Sequence, residues 1–526
     1  MHLLCTNGSP VVHQLAHLPP IPLIIDYQYA NTTVSTSESW GIFQALQMRD
    51  RVRRVILHMP TSNLEDLLVI MDEPFPILEQ LTISSTTEGM SPKLPETFLA
   101  PNLRHLTLSG ITLPGELTLL STSVVTLTLT NIQATSYFLP RHLVTHLRSF
   151  SRLEGLTIGF SIPLPRPSSE SELSDTLESP VTLPTLRRFM FNGVTAYLES
   201  LVSQIRAPLL ENLSIALFNQ IAFALPHLSD FVNATPALKL PMAKVIFKHD
   251  GISVISKHPT QGVGDRHSGF IIRVICGLFD WQIDTAGQIC RSLTPVLSCV
   301  EEITLDFDGE EMPTEWQNGA VDDAAWHDLL RPFIGTKRLH ICHVLQPEIS
   351  RALQVDDAGL DPGLLPSLQE LILDISERHT DNSFTSFVDA RQVAGHPVRL
   401  VLLPELPRAS PHPTATLAPT HSPKGFSPFS PKGRYPVNNP GKPISYISPY
   451  SPWVFPPLPR GDVMPYTQPT PLNHNRPPPH IPLWVEQNLP CTSRATHLRG
   501  IQPPVPIHFR SRYRPSHKGA VSAPWR

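Results

Sequence analysis

The chain has 526 residues, 41% of them apolar, enough for a sizeable core in two or three average domains. Its formal net charge of −4 is a cancellation: residues 404–526 carry 14 Lys and Arg against three acids (+11), leaving −15 for residues 1–403, and an acidic body argues against a nucleic-acid partner. No cysteine pair has the C-x-x-C spacing of zinc and redox motifs; with no basic leader at the start and no apolar run of about 18 residues, the expected compartment is cytoplasmic or nuclear, with no membrane partner.

Residues 1–21 read as a lead-in. From 22 to 403 one phrase, P-x-L-x-x-L-x-L, recurs at Pro76–Ile83, Pro101–Leu108, Pro184–Phe191, Pro208–Ile215 and Pro366–Leu373. Weaker copies are Val52/Val55/Leu57, Val124/Leu127/Leu129, Leu153/Leu156/Ile158, Met242/Val245/Phe247 and Val300/Ile303/Leu305, with Phe270–Ile275 and Thr336–Ile341 completing the set. The spacing between copies averages about 29 residues, within the leucine-rich range. The L-x-L pair has the period of a strand, so its two apolar side chains point one way and the residue between them the other.

Between the copies the period becomes helical. Leu64/Leu67/Leu68/Met71, Leu198/Leu201/Val202/Ile205 and Trp326/Leu329/Leu330/Phe333 keep i, i+3, i+4, i+7 spacing, and Phe384/Phe387/Val388 precede a C-terminal Gly395. About a dozen strand-helix units predict an α/β leucine-rich-repeat-like solenoid, a parallel sheet with helices on the outer face. Each unit buries its apolar side only by stacking on the next. A doubly wound α/β domain alternates in the same way, but its strands are continuous apolar runs without a shared phrase. The stretches Ser161–Thr182, with three prolines and a Ser/Glu run, and Asp306–Asp323, acidic and irregular, read as extended surface loops.

Proline dominates residues 404–526, which hold 29 of the chain's 58. That composition predicts a disordered tail. Ser427-Pro-Phe-Ser-Pro431 and Ser448-Pro-Tyr-Ser-Pro452 are candidate phosphorylation sites. Pro456, Pro457, Leu458 and Pro459, followed by Arg460, suit a WW or SH3 groove, the alternative reading being a scaffold that works through its tail.

Motif chemistry gives no catalytic reading. His340-Ile-Cys-His343 alternates sides on a strand, His340 and Cys342 on one and His343 on the other. Asp306–Glu311 has its glycine too early for a calcium loop, and Gly262-Val-Gly264 lacks a third glycine. The expectation is a non-enzymatic monomer without metal or cofactor. It binds a protein partner through outward strand residues on the inner sheet face: His105, Thr107, Arg188, Asn212, Lys244, Asp306, Arg338, His340 and Asp374.

A series of short segments in order along residues 10–403 carries a resemblance. They include Pro22-Leu-Ile-Ile-Asp-Tyr27, Arg49-Asp-Arg-Val-Arg-Arg54, Phe75-Pro-Ile-Leu-Glu79 and Phe138, then Ala196-Tyr-Leu-Glu199, Phe218-Asn-Gln220 and Pro226-His-Leu228. Asp280-Trp-Gln282, Leu329-Leu-Arg-Pro-Phe333, Phe387-Val-Asp-Ala-Arg-Gln392 and Gly395-His-Pro397 complete the series. The arrangement is similar to basidiomycete-type F-box and leucine-rich-repeat proteins. The resemblance implies a ubiquitin-ligase substrate receptor whose repeats present a substrate and whose F-box docks on the adaptor of a cullin-type ligase. The F-box belongs before Pro22, where 21 residues are present and the module needs about 40, so the chain reads either as a truncated gene model or as a receptor without its adaptor-docking module.

Overall fold

The computed structural model describes residues 3–404 apart from 7–12, 14, 16–20, 29–35, 88–90, 114–121, 162–178, 219–221, 258–268, 277–278, 310–322, 354–363 and 376–383. The tail, with Pro456, Pro457, Leu458, Pro459 and both Ser-Pro clusters, lies outside the described residues, as do Gly262-Val-Gly264 and most of the two expected loops.

The repeated phrase folds in two steps. Its proline takes the second position of a tight turn, where a fixed φ is an advantage. The next leucine closes that turn with its N–H: Leu78 to the Phe75 carbonyl at 3.3 Å, Leu103 to Ala100 at 3.1 Å, Leu186 to Leu183 at 3.3 Å, Leu210 to Ala207 at 3.2 Å and Leu368 to Leu365 at 3.1 Å. The L-x-L pair then enters a strand. Strands β1 (Leu3–Thr6), β2 (Leu23–Gln28), β3 (Val52–Met59), β4 (Gln80–Ser85), β5 (His105–Ser109), β6 (Thr126–Ile132) and β7 (Gly155–Phe160) lie side by side and parallel. The sheet continues through β9 (Arg188–Gly193) and β11 (Asn212–Leu217). In this run Val55, Leu81, Leu106, Leu127, Leu156, Phe189 and Leu213 fall into one register, forming a buried row across seven strands.

Two features differ from the sequence reading at its ends. The supposed lead-in supplies β1, with Leu3 and Cys5 buried against the next strand, so the sheet starts upstream of residue 22. The expected loop up to Thr182 ends in a two-residue strand, β8 (Val181–Thr182), paired with β10 (Ile205–Arg206) outside the main sheet.

A larger correction concerns the middle. The Val245 and Ile272 copies do not follow one another in space, and the sheet is not wholly parallel. Strands β12 (Met242–Lys248), β13 (Gly251–Lys257) and β14 (Gly269–Ile275) form an up-down-up unit. It is inserted in reverse, so that β14 pairs with β11 and β12 pairs with β15 (Glu302–Phe307). The parallel order then resumes with β16 (Arg338–Ile341), β17 (Glu370–Ile375) and β18 (Arg399–Pro404), completing a 16-stranded sheet.

Two glycines permit this reversal. A Cβ on Gly251 would lie 2.3 Å from the Val274 carbonyl oxygen. One on Gly269, whose φ is +133°, would lie 2.1 Å from that of Ser256. Both ends of β13 therefore approach neighbouring backbone more closely than any side chain allows.

Helices cover one side of the sheet: α1 (Thr36–Gln47), α2 (Thr61–Val69), α3 (Pro140–Leu147), α4 (Thr195–Val202), α5 (Pro226–Asn233), α6 (Phe279–Ser292), α7 (Thr294–Leu297), α8 (Asp323–Leu330), α9 (Gln346–Ala352) and α10 (Thr385–Val393). Their buried stripes, such as Leu64/Leu67/Leu68 and Trp326/Leu329/Leu330, share one continuous core with the inward rows of the strands. Neighbouring helices are tied by polar contacts. The Glu199 carboxylate of α4 accepts the His227 and Leu228 N–H groups at 2.8 and 2.9 Å, capping α5. Buried Gln282 of α6 donates to the Lys248 and Cys276 carbonyls at 2.7 and 2.8 Å, pinning the C-terminal ends of β12 and β14 in the reversed unit. Among the described residues, no helix is long and apolar enough to cross a membrane.

Candidate functional site

Because strand side chains alternate, the face opposite the helices carries the residue between the two apolar positions of each copy. All nine residues expected to bind a partner lie on this open face. They do not form one cluster. In sheet order His105 on β5 and Asp374 on β17 are ten strands apart, roughly 48 Å at a strand spacing of about 4.8 Å. The face divides into three zones.

The first zone spans β4 to β7. Thr82, Thr107, Thr128 and Thr157 occupy the same register on four neighbouring strands, all half-buried. Ser84 and Ser109 lie beside them. His105 approaches the Thr126 hydroxyl through Nδ1 at 2.6 Å, and burial, then the nearby Arg104 charge, holds its pKa below the usual imidazole range. Arg188 and Asn212 continue the row of His105 onto β9 and β11.

The third zone spans β12 and β15 to β17 and is a set of ion pairs. Lys244 meets Asp306 at 2.6 Å, Arg338 meets Glu302 at 2.6 Å, and His340 Nε2 lies 2.8 Å from Asp374. Arg399 of β18 extends the set by pairing with Glu370. The predicted residues Lys244, Asp306, His340 and Asp374 therefore partner one another in pairs across adjoining strands.

Between these zones lies a region that the sequence reading missed. On the reversed unit, Ile271 of β14, Ile255 of β13 and Lys244 of β12 share one register. Arg273, Ser253 and Ile246 share the next, followed by Ile275, Gly251 and Lys248. Ile246, Ile255 and Ile271 are half-buried and Ile275 is 43% exposed. Ile255 and Ile271 thus face each other on the open face, Ile246 lies diagonal to Ile255, and Ile275 lies beyond Arg273 opposite Gly251, so the four isoleucines are interspersed with Arg273, Ser253 and Lys244, with Lys248 and, one strand on, Asp306 beside them. The available signal was Asp250-Gly251, a hairpin dipeptide between two apolar alternations.

Other candidate chemistry does not assemble. Strand β16 ends at Ile341, so Cys342 turns into the core instead of sharing the side of His340, and burial pushes its thiol up to about 11. This corrects the expected alternation, which assumed a longer strand. No three His, Cys, Asp or Glu side chains come together as metal ligands among the described residues. Cys5, Cys276, Cys290 and Cys342 are buried free thiols and Cys299 is exposed. A cavity of about 590 Å³, lined by Arg206, His227, Asp230 and Phe231 among others, lies by β8, β10 and α5, away from the open face.

No protein-family model matches the chain, and no curated protein matches it. Among solved structures, the leucine-rich repeat-containing protein LegL7 from Legionella pneumophila aligns with 75% of this chain and 98% of its own, at 12% identity and a TM-score of 0.24.

Proposed function

We propose that the chain is a non-enzymatic protein-recognition module of leucine-rich-repeat-like design, and that its partner binds the open sheet face at the reversed unit. The observation that carries this reading is the isoleucine group Ile246/Ile255/Ile271/Ile275, set among charged residues on a mainly polar face. Protein interfaces have this anatomy, an apolar centre that excludes water inside a polar rim. The flanking zones contribute orientation and selectivity more than affinity, since half-buried hydroxyls and half-exposed ion pairs each supply little net energy.

The finer form of the proposal is a substrate receptor of the F-box type, supported by the ordered segment resemblance. A photo-crosslinking amino acid at position 255 should yield a discrete adduct in cell extract. The same group at position 69, on the helix side and 71% exposed, should not. Equal adducts at both positions contradict the proposal. Mixing the chain with the adaptor of a cullin-type ligase tests the receptor role: a stable complex supports it, and no complex limits the chain to partner recognition.

A further inference from the structure

The two edges of the sheet are finished differently. At the start, β1 is four residues long and its inward Leu3 and Cys5 are buried, at 9% and 0% exposure. At the end, β18 has Leu400 at 41%, Leu402 at 54% and Leu403 at 41%. Leu400 and Leu402 occupy the register of Leu371 and Leu373, which are 0% and 5% exposed one strand earlier. The inward rows of the core therefore run out to the surface at β18, and among the described residues no strand pairs with its far side.

The backbone of that far side can be read directly. Arg399 N–H donates to the Gln369 carbonyl at 2.8 Å, so residues 399, 401 and 403 turn their peptide groups toward β17. Leu400 and Leu402 turn theirs outward. Pro404 shares that outward parity but has no N–H, so the edge offers two donors and then stops. Natural edges carry charged side chains, proline or a bulge to prevent pairing; β18 has Arg399 at its start and Pro404 at its end, and Leu400 to Leu403 between them carry none of these.

We infer that β18 is a homodimerisation edge, pairing antiparallel with the β18 of a second copy about a two-fold axis through Val401. This register is self-complementary. Leu400 of each copy faces Leu402 of the other and exchanges both N–H···O bonds with it, bringing the exposed core-side leucines together. On the open face Val401 meets its own counterpart. Arg399 meets Leu403, leaving the two arginines about 13 Å apart at about 3.3 Å per residue, so like charges are not juxtaposed. A second copy satisfies this arrangement by symmetry, with Leu400 set against Leu402 on both sides of the axis. The inference replaces the expected monomer, and of the residues placed on the recognition face it involves Arg399 alone.

The test is the mass of the full chain by light scattering across a concentration series. The expected result is twice the single-chain mass. Leu402→Lys, at a side chain already more than half exposed, should raise the dimer dissociation constant by about tenfold or more and leave the melt unchanged at concentrations low enough for both proteins to be monomeric. Val401→Cys should form an inter-chain disulfide on mild oxidation that the parent chain does not form, because facing residues of a non-hydrogen-bonded antiparallel pair stand about 4.5 Å apart at Cα. A single-chain mass throughout, or a dimer untouched by Leu402→Lys and not crosslinked through position 401, overturns the inference.

Discussion

The open face has a hydroxyl end and a charged end built on the same repeat. At β4–β7 the residue between the two apolar positions is threonine in four successive strands. At β15–β17 that position holds Thr304, His340 and Ile372, and the charges lie mainly on either side of it, at Glu302, Asp306, Arg338 and Asp374. Beneath both, the inward rows are equally buried. The repeat thus specifies the core and leaves the face free to vary, and the break between the two ends coincides with the reversed unit.

If the core is common to both ends, truncating it should cost the same at either. Leu81→Ala and Leu305→Ala, each at 0% exposure, should each lose about 2–5 kcal/mol by denaturant unfolding. A large asymmetry would show that the two ends do not unfold together. The junction should respond nearly as strongly. Gly269→Ala combines a left-handed backbone with a 2.1 Å approach to the Ser256 carbonyl, and about 3 kcal/mol of stability should be lost.

The face residues should show smaller effects that separate its ends. A double-mutant cycle on Lys244 and Asp306 should give a coupling of roughly 0.5 kcal/mol, reduced by salt, because both side chains remain partly exposed. Thr107→Val and Thr128→Val should stay within about 0.5 kcal/mol of the parent and show no coupling. The smallest effect is on pH dependence. Burial lowers the pKa of both His58 and His105 from 6.5, so the unfolded chain binds more protons than the folded one near and below that value. Their stabilising contribution is present above pH 6.5 and lost as pH falls through the lowered values. His105→Gln should flatten the fall in melting temperature over that window.

Much of this fold was legible in the sequence because the phrase encodes local events. Proline sets the turn, leucine closes it, and L-x-L alternation gives each strand an inward side. Spatial order was not encoded in the same way. The copies at Val245 and Ile272 look alike whether they follow in sequence or are separated by an antiparallel strand, and only Asp250-Gly251 marked the hairpin. The outward positions of His105, Lys244 and His340 followed from alternation. Their division into zones did not, since it depends on which strands become neighbours. Ile246, Ile255 and Ile271 were missed for a related reason: an isoleucine in an apolar strand reads as core until the opposite face is identified.

Partner recognition through the isoleucine group makes a direct demand on Ile255 and Ile271. Quantitative affinity capture should compare the parent chain with Ile255→Arg plus Ile271→Arg and with the helix-side control Val69→Arg, after matched melting temperatures confirm all three are folded. The double variant should lose the captured partner while Val69→Arg retains it. Undiminished capture by the double variant would contradict recognition through this group.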